Sequence, residues 1–264
     1  MKLTSPSNFP KKRLGQHFLK DPNTARIMVA GVTAEDVVLE IGPGRGFLTT
    51  FLAQRAALVH ALELDPDVLP ALRQAVGDYD NVKIHNGDAL RFDYGALDPA
   101  PNRLVANLPY NVASPLVLRL LEEVGYLDLL RFMVQQEVAR RMAAERGTKD
   151  YAAYAVLVGL LARASIVHKV SPNVFDPPPR VYSAVVDMER LRPGLEPAEY
   201  RGAKELIVAV FRSRRKRLIN NLPDSLRRKA AETLDSMGFG PDARAEELEP
   251  GDFVTLYRAI SGGA

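Results

Sequence analysis

The chain contains no cysteine, which excludes disulfides, thiolate metal sites and thiol nucleophiles. It has no apolar run near the ~18 residues that a transmembrane helix needs, so no membrane association is expected. The opening Met1-Lys2-Leu3-Thr4-Ser5-Pro6 lacks the apolar stretch of a secretory signal, and a cytoplasmic protein is expected. No internal repeat is visible. The four histidines, His17, His60, His85 and His168, show no metal-ligand spacing, and no metal is expected. What remains is ordinary globular material: 264 residues, 47% hydrophobic and 25% charged. That composition excludes disordered, collagenous and low-complexity classes, and the length suits about two domains of ~150 residues or one large one.

The net charge of +3 hides an uneven distribution. Residues 1–20 carry Lys2, Lys11, Lys12, Arg13 and Lys20 and no acid. Residues 201–230 carry ten basic groups against two acids, Glu205 and Asp224. Two basic zones on an otherwise acidic chain point to a polyanion bound at defined places.

Between residue 37 and about 136, short β-branched runs alternate with helical stretches. Strands are expected at 37–41, 58–64, 82–85, 103–107 and 131–135, with helices such as Pro66–Val76 and Pro115–Val124 between them. This alternation predicts a doubly wound α/β fold with a parallel sheet. A helix over Tyr151–Arg163 follows. Two further strands, 164–170 and 183–188, are joined by only a short Pro-rich connection, and predict an antiparallel pair closing the sheet. Leu191-Arg192-Pro193-Gly194-Leu195-Glu196-Pro197 then breaks the pattern, and everything beyond it is helical in period. Two domains are therefore expected, 1–190 and a small all-helical 197–264.

The first expected strand ends in Glu40-Ile41-Gly42-Pro43-Gly44-Arg45-Gly46. Glycines there let the backbone turn tightly and approach a ligand closely. Glu63 closes the second strand 21 residues after Gly42, where a carboxylate can hold a ribose diol. The spacing is G-x-G-x-G rather than the G-x-G-x-x-G of a pyrophosphate site, and Glu40 adds negative charge near the loop. Both features disfavour a dinucleotide and suit a cationic nucleoside such as S-adenosylmethionine. Asp88, just after the third strand, can accept from an adenine amino group at the carboxyl edge of the sheet.

Asn107-Leu108-Pro109-Tyr110 follows the fourth strand. The lone pair of an exocyclic adenine nitrogen is delocalised into the ring. The Asn107 amide oxygen and the Leu108 carbonyl, held rigid by Pro109, could accept both N6 hydrogens and turn the lone pair toward a methyl donor. Tyr110 offers a flat surface on which the base can stack, worth ~1–3 kcal/mol.

Together with Gly15-Gln16-His17-Phe18-Leu19, these motifs resemble the ribosomal RNA adenine N6,N6-dimethyltransferases, most closely the small-subunit (KsgA-type) branch. Val174-Phe175-Asp176-Pro177-Pro178-Pro179-Arg180-Val181-Tyr182-Ser183 and Phe211-Arg212-Ser213-Arg214-Arg215-Lys216 agree, so that the likeness runs from about Lys11 to about Tyr257. The resemblance implies a Rossmann-like methyltransferase domain. In it, positions matching His17, Leu19, Gly42, Gly44, Glu63, Asp88 and Asn107 bind S-adenosylmethionine, and Phe175 packs on the target base opposite Tyr110. His17 departs from the family's frequent Asn. The resemblance further implies dimethylation of two adjacent adenosines in the 3′-terminal hairpin of 16S rRNA on the small ribosomal subunit, with a role in its biogenesis, by a monomer.

In the tail, a helical wheel gathers Ile207, Phe211, Leu218 and Leu222 within about 60°. Arg212, Lys216 and Asn220 stack away from that arc, with Arg214, Arg215 and Arg217 at its flanks. RNA contact is expected through Arg212, Arg214, Arg215 and Lys216 together with Lys11, Lys12 and Arg13. Two alternatives share these motifs: a large-subunit methylase of the erythromycin-resistance type, and a ribosome-assembly factor acting mainly by binding. A DNA adenine methylase is disfavoured, because such enzymes typically carry a second proline where Leu108 stands.

Overall fold

The computed structural model describes residues 16–192, 194–214, 216–240 and 242–262. Gly15, Lys11, Lys12, Arg13 and Arg215 lie outside the described residues. A short β1 (Phe18–Leu19) leads into α1 (Pro22–Met28), which the sequence starts with a side-chain cap. Asp21 accepts from the Thr24 N–H and hydroxyl, both at 2.7 Å, and Pro22 supplies a helical φ with no N–H to satisfy. The expected alternation then appears: β2 (Val37–Ile41), α2 (Phe47–Ala53), β3 (Leu58–Glu63), α3 (Leu69–Val76), β4 (Val82–Asn86), β5 (Arg103–Asn107), α4 (Ala113–Glu123) and β6 (Leu129–Gln135). After them come α5 (Gln136–Met142), α6 (Ala153–Leu161), β7 (Ala162–Val170), β8 (Phe175–Asp176), β9 (Ser183–Arg190), α7 (Pro197–Val210), α8 (Asp224–Ser236) and α9 (Pro250–Ser261).

Seven strands form one sheet in the order β4-β3-β2-β5-β6-β9-β7. From β4 to β6 the neighbours are parallel, and β9 runs antiparallel to β6 with β7 beyond it at the edge. Buried Val38, Val59, Val105, Met133 and Val185 pack with Ala25 and Met28 of α1 and Leu48 and Leu52 of α2. The alternate residues Leu39, Leu104, Phe132 and Val186 are buried as well. Side chains alternate across a strand, so both faces of the central strands are covered, which explains their unbroken apolar runs.

Charged residues fix this frame from inside. Arg131 on β6 lies opposite Asp187 on β9 and makes a two-pronged pair at 2.6 and 2.6 Å. The same guanidinium donates to the Ile27 and Ala30 carbonyls where α1 ends. Asp36 accepts from the Thr33 N–H and the Asn102 amide and faces Arg103 at 2.7 Å. Against a burial cost that would raise it, these partners hold its carboxyl below the usual range.

The chain divides into two compact units: one up to Ala139 plus Ala164–Arg190, the other Arg140–Arg163 plus Leu191 onward. The break after Arg190 falls where it is expected, whereas residues 140–163, expected in the first domain, belong with the second unit. The reason is α6, Ala-Tyr-Ala-Val-Leu-Val-Gly-Leu-Leu, which is apolar on every side and buries Ala155, Val156, Leu157, Val158 and Leu160. A helix of that kind belongs in the middle of a helical core. The helical unit closes on it: a Cβ on Gly159 would lie 2.8 Å from Pro250, and Tyr151 donates to the Leu248 carbonyl at 2.8 Å.

The tail differs too. The wheel drawn through residues 207–222 assumes one helix, but α7 stops at Val210 and two 3₁₀ turns follow, Phe211–Ser213 and Leu218–Asn221. The Asn221 amide donates to the Val210 carbonyl at 3.1 Å, and the Leu218 N–H bonds Ala243, so side chain and loop terminate the helix. Ile207, Leu218 and Leu222 are nonetheless buried as the pattern requires.

Candidate active site

The carboxyl ends of β2, β3, β4 and β5 open onto a cavity of about 640 Å³ in the first unit. Its lining includes Leu19, Gly42, Gly44, Glu63, Asp88 and Asn107, as well as Leu108, Pro109, Tyr110 and His17. The sequence scatters these positions over almost a hundred residues. The parallel sheet gathers them, because every βα turn of such a sheet emerges on the same edge.

The glycine loop is shaped by close approach. Gly44 has φ +58°, and a Cβ there would lie 2.8 Å from the Phe18 ring. Phe18 lies across the loop, and the Arg45 guanidinium stands 4.5 Å from that ring's centroid. Gly42, at φ +72°, donates to the Leu62 carbonyl and faces the Asn107 carbonyl and the Pro109 ring. Glu63 is only 5% exposed. Its two carboxylate oxygens accept from the Gly44 N–H at 3.0 Å and the Asp65 N–H at 2.8 Å. Burial pushes its carboxyl up, and these backbone donors oppose the shift. Asp88 turns its carboxylate to the Leu90 N–H at 2.9 Å.

Among the described residues that line the cavity, two buried side-chain oxygens have no hydrogen-bond partner, Glu40 Oε2 and Asn107 Oδ1. Burial, helped by the nearby Glu63 charge, pushes the Glu40 carboxyl up to about 8. The Asn107 amide is oriented by His17: its Nδ2 donates to the His17 carbonyl at 3.0 Å. A carbonyl only accepts, so the amide cannot be reversed, and Oδ1 is the atom left without a donor. Leu108 is buried, with its N–H on the Met133 carbonyl at 3.1 Å. Tyr110 shares a 2.6 Å hydrogen bond between its hydroxyl and that of buried Ser183, and burial pushes its phenol up.

His17 does more than cover the cavity. Its ring stacks on Tyr110 with centroids 5.5 Å apart, and its Nδ1 lies 2.8 Å from the Pro177 carbonyl. That carbonyl only accepts, so Nδ1 carries a proton. The segment around it is fastened on both sides. Gln16 donates to Asp65 at 3.1 Å, β1 pairs with β8, and the Lys20 N–H bonds the Val174 carbonyl.

Two of the expected site residues are engaged elsewhere in the protein. Phe175, expected to face the target base across from Tyr110, is 0% exposed and packs in the core with Leu19, Met28, Val170 and Val185. The short β1–β8 pairing sets Phe175 beside Leu19 and turns it inward. The ring beside Tyr110 is that of His17. Arg214, expected on the RNA face, donates through all three nitrogens within the helical unit, to Glu246 and to the Lys149 and Thr148 carbonyls. Arg212 and Lys216 are exposed. Ser183 was not legible as a site residue, since a serine opening a strand carries no signal of its own. Among the described residues, no group of three metal-ligating side chains converges. His60 and His85 meet at 3.0 Å on neighbouring strands, and the other ring nitrogen of His60 bonds the Pro99 carbonyl.

The family model for ribosomal RNA adenine dimethylase matches residues 8–261. This chain belongs to that family. Among its adenine dimethylase relatives, a ribosomal RNA small subunit methyltransferase A from Rubrobacter xylanophilus is 71% identical over 252 residues, covering 96% of this chain and 95% of the relative. Another of the same name, from Methylococcus capsulatus, is 38% identical over 258 residues, covering 96% and 98%. The fold is also that of a dimethyladenosine transferase from Plasmodium falciparum, with TM-score 0.80 at 24% identity over 91% of this chain and 96% of that one. The 23S rRNA methyltransferase ErmE aligns with TM-score 0.73 at 28% identity, over 92% and 99%.

Proposed function

We propose that this adenine dimethylase transfers methyl groups from S-adenosylmethionine to N6 of two adjacent adenosines in the 3′-terminal hairpin of 16S rRNA, on the small ribosomal subunit. The observation that carries the reading is the oriented Asn107 amide, whose Oδ1 is buried without a donor at the edge of a nucleoside-sized cavity. Identity of 71% to a small subunit methyltransferase supports the small subunit as substrate. The likeness to ErmE makes a large-subunit adenosine the second reading. The cytoplasm is the compartment that fits such a substrate.

S-adenosylmethionine supplies a methyl group on a sulfonium, poised for direct displacement. The residues here fit its parts. Glu63 keeps acceptor capacity for a ribose diol, Asp88 for the adenine amine, and Glu40 offers a carboxylate to the cationic end. The adenosine must leave its stack to enter, at a cost of a few kcal/mol that a hairpin loop reduces. Asn107 Oδ1 and the Leu108 carbonyl accept the two N6 hydrogens, while the Tyr110 ring holds the base flat. Accepting those hydrogens localises the nitrogen lone pair toward the donor. As nitrogen becomes cationic its proton acidifies, so no general base acts before transfer. Positioning and electrostatics are the whole of the protein's contribution. N6-methyladenosine retains one hydrogen, which Asn107 accepts in the second round. Arg212, Lys216 and the basic residues 11–13 hold phosphates.

The deciding experiment follows labelled methyl transfer to unmodified small subunits, with large subunits, naked rRNA and DNA in parallel and nucleoside analysis of the product. Dimethyladenosine on small subunits alone, near two bases per particle, is expected. Label on large subunits would establish the second reading instead.

Two variants separate the cofactor contacts. Glu63→Ala is expected to weaken S-adenosylmethionine binding about tenfold or more by calorimetry, as befits a lost charged hydrogen-bond acceptor. An unchanged affinity would remove Glu63 from the ribose. Glu40→Gln is expected to act on stability and binding in opposite directions. An unfolded glutamate titrates near 4.5, the folded one near 8. The unfolded state thus releases its proton first, and the unliganded protein loses stability as pH rises from about 4.5 toward 8. The glutamine keeps the shape without the charge, so at pH 8 the melting temperature should rise by about 5 °C, while cofactor affinity falls.

A further inference from the structure

Four of the seven large apolar side chains most exposed among the described residues, Ile166, Val167, Val181 and Tyr182, fall on β7 and the segment entering β9. In β7 the five consecutive residues Ser165–Lys169 are all exposed, so neither face of this edge strand is covered there. A strand in a sheet of this size ordinarily buries one face. The exposed charges on these two stretches are Lys169 and Arg180, and residues 164–170 and 180–183 contain no carboxylate.

Tyr182 is 48% exposed and yet held in place. The Lys169 ammonium stands 4.2 Å from its ring centroid, and the Tyr182 carbonyl accepts from the Gln136 N–H at 2.9 Å. Its neighbour in the chain, Ser183, turns inward to the Tyr110 hydroxyl. Successive side chains in extended backbone point to opposite sides. Tyr182 therefore points away from the cavity side of the chain, one residue from the side chain that holds the Tyr110 hydroxyl.

We propose that Tyr182 and Lys169 form a second nucleobase platform, which stacks the base flanking the target adenosine while Lys169 meets its phosphate. This rests on the reading of the chain as an rRNA adenine dimethylase and adds a subsite to it. An exposed aromatic ring paired with a cation is the arrangement by which proteins hold unstacked nucleotides. The cations Lys169 and Arg180 on these stretches favour an RNA strand over a protein surface here. Binding two unstacked nucleotides at once lowers the cost of extracting the target, because the flanking base exchanges its stack for a ring.

The experiment uses the full-length protein, unmodified small subunits and saturating S-adenosylmethionine. Tyr182→Ala is expected to raise KM for subunits about tenfold, with kcat within about twofold and cofactor affinity unchanged. Tyr182→Phe keeps the ring and should behave as the parent. Lys169→Gln should reduce the slope of log(kcat/KM) against log salt by about 0.7, the value for one phosphate of single-stranded nucleic acid. An unchanged KM and salt slope, or a Tyr182→Phe as impaired as Tyr182→Ala, would overturn the proposal. So would a photocrosslinker at position 182 that labels ribosomal protein and not rRNA. Tyr182 is exposed, so both variants should melt with the parent, and Lys169→Gln tests the site through a different side chain. If the parent protein fails to methylate small subunits, the functional reading falls and this subsite with it. If the parent methylates them and the variants match it, only the subsite falls.

Discussion

Asn107→Ala is expected to lower methyl transfer about 10³-fold, a loss at the upper end of what one oriented polar group contributes to a transition state. The alanine removes the buried Oδ1 acceptor and also the Nδ2 donor that grips the His17 carbonyl. The second loss is minor, since Gln16–Asp65, the β1–β8 pairing and Lys20–Val174 still fasten that segment. Cofactor affinity should therefore change little, and calorimetry on the variant separates binding from chemistry. Asn107→Asp divides the two roles of the amide. A carboxylate keeps an acceptor for the N6 hydrogen but places a second acceptor against the His17 carbonyl, where nothing donates. About 10²-fold loss is expected, intermediate between parent and alanine. Single-turnover rates at saturating cofactor are the measurement. Near-parental rates for Asn107→Ala would exclude the amide as the acceptor that localises the lone pair.

His17 offers a check on the same geometry from the other side. Its ring occupies the face of Tyr110 with centroids 5.5 Å apart, and a base sandwiched between two rings needs more room than that. The incoming adenine must displace the imidazole or stack on the ring's other face. The histidine thus stands where the expected partner Phe175 does not, and its Nδ1 bond to Pro177 is the tether that such a displacement would break.

The parts of this site that sequence makes legible are those set by local rules. The glycine loop needs positive φ, the acid at the end of the next strand follows from the length of a βα unit, and the carboxyl edge of a parallel sheet collects them. Strand positions 37–41 and 103–107 coincide with β2 and β5 because central strands are apolar on both faces. What could not be read depends on contacts far apart in the chain. Phe175 is placed at the target base by the family resemblance alone, which does not show the two-residue pairing with β1 that turns it inward here. Arg214 looks like part of a basic face because the pattern cannot show that Glu246 and two carbonyls lie beside it. Residues 140–163 join the second unit for a similar reason. An all-apolar helix such as α6 fits any core, and only the fold shows which one contains it.

Arg190 is a further case of a role invisible in the sequence, and its replacement should have the largest effect on stability. It ends β9, and its guanidinium donates to four carbonyls: Leu127 at 2.6 Å, Leu121 and Val124 at 2.8 Å, and Leu120 at 3.1 Å. Leu121 lies in the last turn of α4, where a helix leaves its carbonyls without donors of its own, while the Leu120 carbonyl also accepts from the Val124 N–H, and the positive charge lies at the negative end of the helix dipole. Arg190→Leu keeps the apolar stem and removes every donor. A loss of about 3 kcal/mol is expected, from several charge-assisted bonds to partly buried carbonyls. Arg190→Lys should recover only about a third of it, because one ammonium cannot reach what a planar fork spans. The α4 helix begins just after Asn107-Leu108-Pro109-Tyr110, so it continues from the turn that carries the Asn107 amide. Hydrogen exchange in Arg190→Leu should accelerate first in residues 116–124, before global unfolding. A urea midpoint unchanged from the parent, with protection of that helix intact, would show that water replaces the guanidinium at little cost.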